Sequence, residues 1–93
     1  MAENPLSGDL WRMARVSGQQ DADGSLKRLG EAVRAARKAR GLSQEALADA
    51  AGIDRSHMGK IERGERNVTL LNLVKIAAAL NGLPSDLLHR AQL

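Results

Sequence analysis

Cysteine is absent from this 93-residue chain, as are phenylalanine and tyrosine, and tryptophan occurs once, at Trp11. Without thiols there is no disulfide framework, no thiolate zinc site and no cysteine nucleophile, and nothing marks an oxidising compartment. With a single aromatic ring, the chain argues against the stacking platforms used to bind single-stranded DNA or RNA. Long apolar runs are missing too. The longest, Ile76 to Leu80, falls far short of the roughly 20 residues that span a bilayer, and the amino terminus has no basic stretch followed by an apolar one. A soluble, unprocessed chain of the cytoplasm is the expectation. At this length one domain is available, with a core small enough to leave room for self-association.

What is present is a helix-forming chain with a local basic excess. The formal net charge is +3, but between Leu26 and Arg66 ten Lys or Arg face six Asp or Glu, so the excess is concentrated there. With stacking disfavoured, duplex DNA is the nucleic acid to consider first. Residues 1–24 carry Pro5, Gly8, Gly18 and Gly24 among Asn, Ser, Gln and Asp, a composition that predicts a flexible arm. Within it, Leu10 to Val16 can form a helical turn or two with Trp11 as an anchor, docking on the domain or on a partner.

From Ser25 onward the pattern is helical, with no alternating β-branched stretch, so the fold class is all-α. Ser25 is the expected cap of a first helix that buries Leu26, Leu29, Val33 and Ala36, and Gly41 with Leu42 ends it. Ser43 caps a second helix, Gln44 to Ala51, which Gly52 stops. Ile53 is an apolar plug, and Asp54 caps a third helix from Arg55 to Arg63 that ends at Gly64. A fourth runs from Leu70 to Leu80 behind Thr69, burying Leu70, Leu73, Ala77 and Leu80. Asn81 and Gly82 end it, and Pro84 opens a last helix that includes Leu87 and Leu88 and extends towards Leu93. The domain is therefore expected over residues 25–93.

The informative segment is Leu42 to Gly64. Two helices of eight or nine residues are joined by a tight turn at Gly52, and the small side chain of Ala48 lets them approach closely, which is helix-turn-helix geometry. On the third helix Ile53, Met58 and Ile61 point inward, leaving Arg55, Ser56, Gly59, Lys60 and, at the flank, His57 facing outward. An Arg fork at the leading end matches O6 and N7 of guanine. Ser56 can donate or accept, and His57 is within reach of a base or a phosphate. Lys60 and Arg66 suit backbone contacts.

The segment from Leu29 to Leu88 resembles the phage repressor and Cro type of helix-turn-helix domain, the XRE family. The residues that carry the resemblance are Arg37, Leu42-Ser43-Gln44-Glu45, Ala48, Gly52-Ile53 and Ile61-Glu62-Arg63-Gly64. The run from Ile61 to Leu70 looks most like controller proteins of restriction-modification systems. The resemblance implies a compact five-helix, repressor-like domain whose third helix enters the major groove. Carried over by position, Gln44 meets a backbone phosphate, Arg55 and Ser56 meet base edges, and Arg37 and Glu62 form a partly buried ion pair that belongs to the scaffold. Gly82 and Leu83 depart from the family pattern, standing where relatives more often have an apolar residue and a capping serine.

Other chemistries fare poorly. His57 and His89 are too far apart to suggest a metal pair, Met58 reads as core filler, and Ser56 has no histidine base because His57 points about 100° away around the helix. Neither an enzymatic activity nor a cofactor is expected. Leu87, Leu88 and Leu93, with Val74, form an apolar set that either closes the monomer core or makes a two-fold dimer interface. The dimer reading gives a homodimeric transcriptional regulator on a palindromic operator. The alternative is a protein-interaction module, antitoxin-like or a partner of a sigma factor or polymerase, that works through the Trp11 segment.

Overall fold

The computed structural model describes residues 21–93, so Trp11 and most of the expected arm lie outside the described residues. Among the described residues the chain forms five helices and no strand: α1 (Ser25–Ala39), α2 (Gln44–Ala51), α3 (Arg55–Glu62), α4 (Leu70–Ala79) and α5 (Pro84–Arg90). None is long and apolar enough to cross a membrane.

Most helix ends follow from local hydrogen bonding. The Ser43 hydroxyl accepts from the Ala46 amide at 3.0 Å, and the Thr69 hydroxyl accepts from the Asn72 amide at 3.1 Å, so each takes one of the amides a helix start leaves unpaired. Ser43→Ala is therefore expected to lower stability by about 1 kcal/mol, read as a shift in the urea midpoint. An unchanged midpoint would mean that water replaces the hydroxyl without loss.

The start of α1 differs from expectation. Ser25 is its first residue and not its cap; Gly24 takes the cap position, and Asp21 reaches over it, its Oδ2 accepting from the Leu26 and Lys27 amides at 2.9 and 3.2 Å. Asp21 to Gly24, expected in the arm, are thus built onto the helix. At the other end of the chain α5 stops at Arg90 and does not continue to Leu93. Gln92 takes a left-handed conformation (φ 62°), and the Leu93 amide turns back to the Leu88 carbonyl at 2.8 Å. Leu83 supplies no capping side chain to α5. Asp86 instead accepts from the Leu83 amide at 2.8 Å, one half of a capping box.

The core gathers one stripe from each helix: Leu29 and Val33 from α1, Leu47 and Ala48 from α2, Met58 and Ile61 from α3, Leu73, Ile76 and Ala77 from α4, and Leu87 from α5. Leu70, expected inside, is 74% exposed. The buried stripe of α4 begins a turn later at Leu73, and Val68, in the loop before the helix, packs against the core in its place. Leu87 is only 4% exposed and closes the monomer core, so it is unavailable to a partner. Leu88 is half-buried against the same core, and Leu93 is 51% exposed.

Candidate nucleic-acid interface

α2 and α3 are set by the turn between them. Gly52 is left-handed (φ 67°), which lets the Ile53 amide return to the Ala48 carbonyl at 2.9 Å and aims the chain into α3. Ile53 is buried beneath the turn, while Asp54, Arg55 and Ser56 stand exposed at the leading end of α3. That end holds no core residue until Met58. Asp54 Oδ2 accepts from the Ser56 amide at 3.1 Å, from the His57 amide at 3.4 Å and from the Ser56 hydroxyl. The Ser56 hydroxyl first, and the His57 amide after it, hold the Asp54 carboxyl below its usual range, so it is ionised at neutral pH.

The remaining residues expected at the site divide into two groups. Lys60 and Arg66 line one cleft of about 540 Å³ with Lys27 and Arg63, at the trailing end of α3. Arg63 is partly neutralised there by an exposed ion pair with Glu65 at 2.9 Å, which lowers the Glu65 pKa. His57 is half-buried and turns towards α4, its Nε2 3.5 Å from Asn72 Nδ2. Asn72 has no sequence signal linking it to α3, because the two residues meet only once α4 is packed.

Gln44 is not simply directed at solvent. Its Nε2 donates to Glu62 Oε1 at 3.1 Å, which ties the first turn of α2 to the end of α3. Glu62 in turn accepts from Arg37, Nε to Oε2 at 2.8 Å and Nη2 to Oε1 at 3.0 Å, and Arg37 Nη1 donates to the Leu42 carbonyl at 3.0 Å. The ion pair implied by the resemblance is thus present and buried, with one guanidinium holding the start of α2 and the end of α3 to α1. Gly59, expected to face outward, is buried: a Cβ there would lie 3.2 Å from Gln44 Oε1 and 3.1 Å from Arg63 Nη1. It gives room for Gln44 to cross α3 and has no open face for a ligand. Among the described residues no group of three or more His, Asp or Glu is placed to hold a metal ion.

Comparison with known proteins places this geometry. The helix-turn-helix family model HTH_3 matches residues 33–88. The control protein C.SmaI of Serratia marcescens is 48% identical over 62 residues, 67% of this chain and 74% of that protein. The control protein C.BamHI of Bacillus amyloliquefaciens is 49% identical over 47 residues, 50% of this chain and 58% of that protein. Among solved structures, the restriction-modification controller protein C.AhdI from Aeromonas hydrophila superposes with a TM-score of 0.68 at 48% identity, covering 69% of this chain and 97% of that one. The clp gene regulator ClgR from Corynebacterium glutamicum superposes at 0.70 with 28% identity, covering 73% and 88%.

Proposed function

We propose that this chain, which belongs to the helix-turn-helix family HTH_3, is a transcriptional regulator of the restriction-modification controller kind that binds a palindromic duplex site as a homodimer. The observation that carries the reading is the leading end of α3, where Arg55 and Ser56 are exposed on a helix whose opposite face is anchored by Met58 and Ile61. A helix held in that way fits the major groove of B-form DNA. The 48% identity to C.SmaI and to C.AhdI supports the controller assignment.

In this reading Arg55 is the main base-reading residue, its fork matched to guanine, and Ser56 reads the neighbouring position. Gln44, Lys60 and Arg66 contact phosphates and set register. His57, half-turned to Asn72, contributes at the flank. Leu93 and Leu88, with Val74 exposed on α4, form the surface offered to a second copy, so that two recognition helices stand about 34 Å apart along the duplex.

Selection of bound sequences from a random duplex pool tests the whole reading, because an enriched palindrome reports symmetry and half-site spacing together. Enrichment of a single half-site by a monomeric protein would overturn the dimer, and no enrichment would overturn the regulator. On the selected site, Arg55→Ala is expected to lose about 1 to 3 kcal/mol and to relax one base pair. Equal losses on selected and random DNA would count against base reading. Lys60→Ala is expected to weaken all duplexes alike and to reduce the dependence of log K on log salt by about one, measured by anisotropy titrations at several salt concentrations.

A further inference from the structure

The geometry points to Asp54 as a positioning residue for specificity: it fixes Ser56 as a hydrogen-bond acceptor, so that α3 distinguishes amine-bearing from carbonyl-bearing bases beside the Arg55 contact. The inference rests on the DNA-binding reading above and adds to it the chemical class of base that Ser56 selects.

A serine hydroxyl carries one proton and two lone pairs, and a free one donates or accepts as its neighbour requires. Such a hydroxyl discriminates poorly. Here the proton is committed to Asp54 Oδ2, an atom that already holds the amides of Ser56 and His57. Ser56 Oγ is left with lone pairs facing outward. Oδ1 of Asp54 takes no hydrogen bond among the described residues, and its residue is exposed beside Arg55. The leading end of α3 therefore presents two acceptor atoms next to one guanidinium donor.

In the major groove only two groups offer hydrogens to an acceptor, N4 of cytosine and N6 of adenine. At the equivalent positions guanine shows O6 and thymine O4, carbonyl oxygens that an ionised carboxylate and an acceptor-only hydroxyl repel. A phosphate is repelled on the same grounds. The pair thus selects A or C, against G or T, on one strand. Asp54 caps α3 as well, but a cap needs only the two amide bonds; the hydroxyl bond is what gives Ser56 a fixed polarity.

The test is selection from a random duplex pool with the full chain, its Asp54→Asn variant and its Ser56→Ala variant. Asparagine caps helices as well as aspartate does, but it replaces the outward Oδ1 by an NH₂ donor and makes the hydroxyl bond neutral. The wild type is expected to confine one column of each half-site to A or C on one strand. Asp54→Asn is expected to admit G and T there with about tenfold loss of discrimination, the other columns and the melting temperature staying as they are. Ser56→Ala is expected to broaden the same column. A measurement independent of any variant is titration of the wild type with N4-methylcytosine or N6-methyladenine at that column, which keeps base pairing but points a methyl group into the groove. About tenfold weaker binding is expected. An enriched palindrome whose column is G or T, is unrestricted, or is unchanged in Asp54→Asn overturns the inference alone, as does full binding to the methylated duplexes. Absence of any enriched duplex overturns it together with the DNA-binding reading.

Discussion

Glu62→Ala is expected to lower the unfolding free energy by about 3 to 5 kcal/mol, a large share of the roughly 5 to 15 kcal/mol that a whole domain possesses. The size of the effect comes from what remains behind. The side chains of Arg37 and Glu62 are 10% and 2% exposed, and the guanidinium meets the carboxylate through two bonds of 2.8 and 3.0 Å. Removing the carboxylate strands a cation that is only 10% exposed and leaves Gln44 without its acceptor. Replacing both partners at once, as Arg37→Met with Glu62→Met, is expected to cost much less than twice the single loss, since no charge is then left buried. Urea denaturation of the two single variants and the double variant measures the coupling. A single loss below about 1 kcal/mol would place the pair among exposed, weakly contributing bridges.

Gly64→Ala is expected to have a comparable effect for a different reason. Gly64 is left-handed (φ 72°), a conformation that costs an alanine roughly 1 to 2 kcal/mol. A Cβ there would also stand 2.6 Å from Lys27 Cα and 2.8 Å from Lys27 N, both backbone atoms of α1. For α1 to retreat, a second close contact would have to open, because Gly30 lies against the end of α3 so closely that a Cβ there would be 2.5 Å from the Ile61 and Glu62 carbonyl oxygens. The two helices meet backbone to backbone, and overpacking adds about 1 to 3 kcal/mol to the conformational strain. Gly52→Ala is the control: its φ is 67°, but a Cβ there meets nothing within 4 Å, so only the strain is expected. The difference between the two denaturation midpoints isolates the helix contact, and equal losses would show that α1 yields.

The site was legible where the relevant forces are local. Arg55 and Ser56 could be placed at an exposed leading end because the cap at Asp54 and the apolar spacing of Met58 and Ile61 fix the rotation of α3 from within its own sequence. The Arg37 and Glu62 pair, by contrast, was implied only by resemblance, since nothing in either residue's neighbourhood announces a partner 25 positions away. For Gln44 the resemblance implies a phosphate contact, and its bond to Glu62 needs α2 and α3 docked together. The polarity of Ser56 was within reach, because a serine two residues after a capping aspartate can be recognised as its hydrogen-bonding neighbour.

What the chain determined by itself is where most of its helices begin and end. Ser43, Gly52, Asp54, Gly64 and Thr69 act through hydrogen bonds to residues a few positions away, so their roles are contained in the neighbouring sequence. At the margins of their buried faces, which residues are covered was decided only by packing. Leu70 is exposed although its spacing suits the core, Gly59 is covered although it lies on the polar side, and Leu87 closes the monomer while Leu93 does not. Each of those outcomes depends on which helix crosses which, a relation between distant residues that periodicity along one segment does not contain.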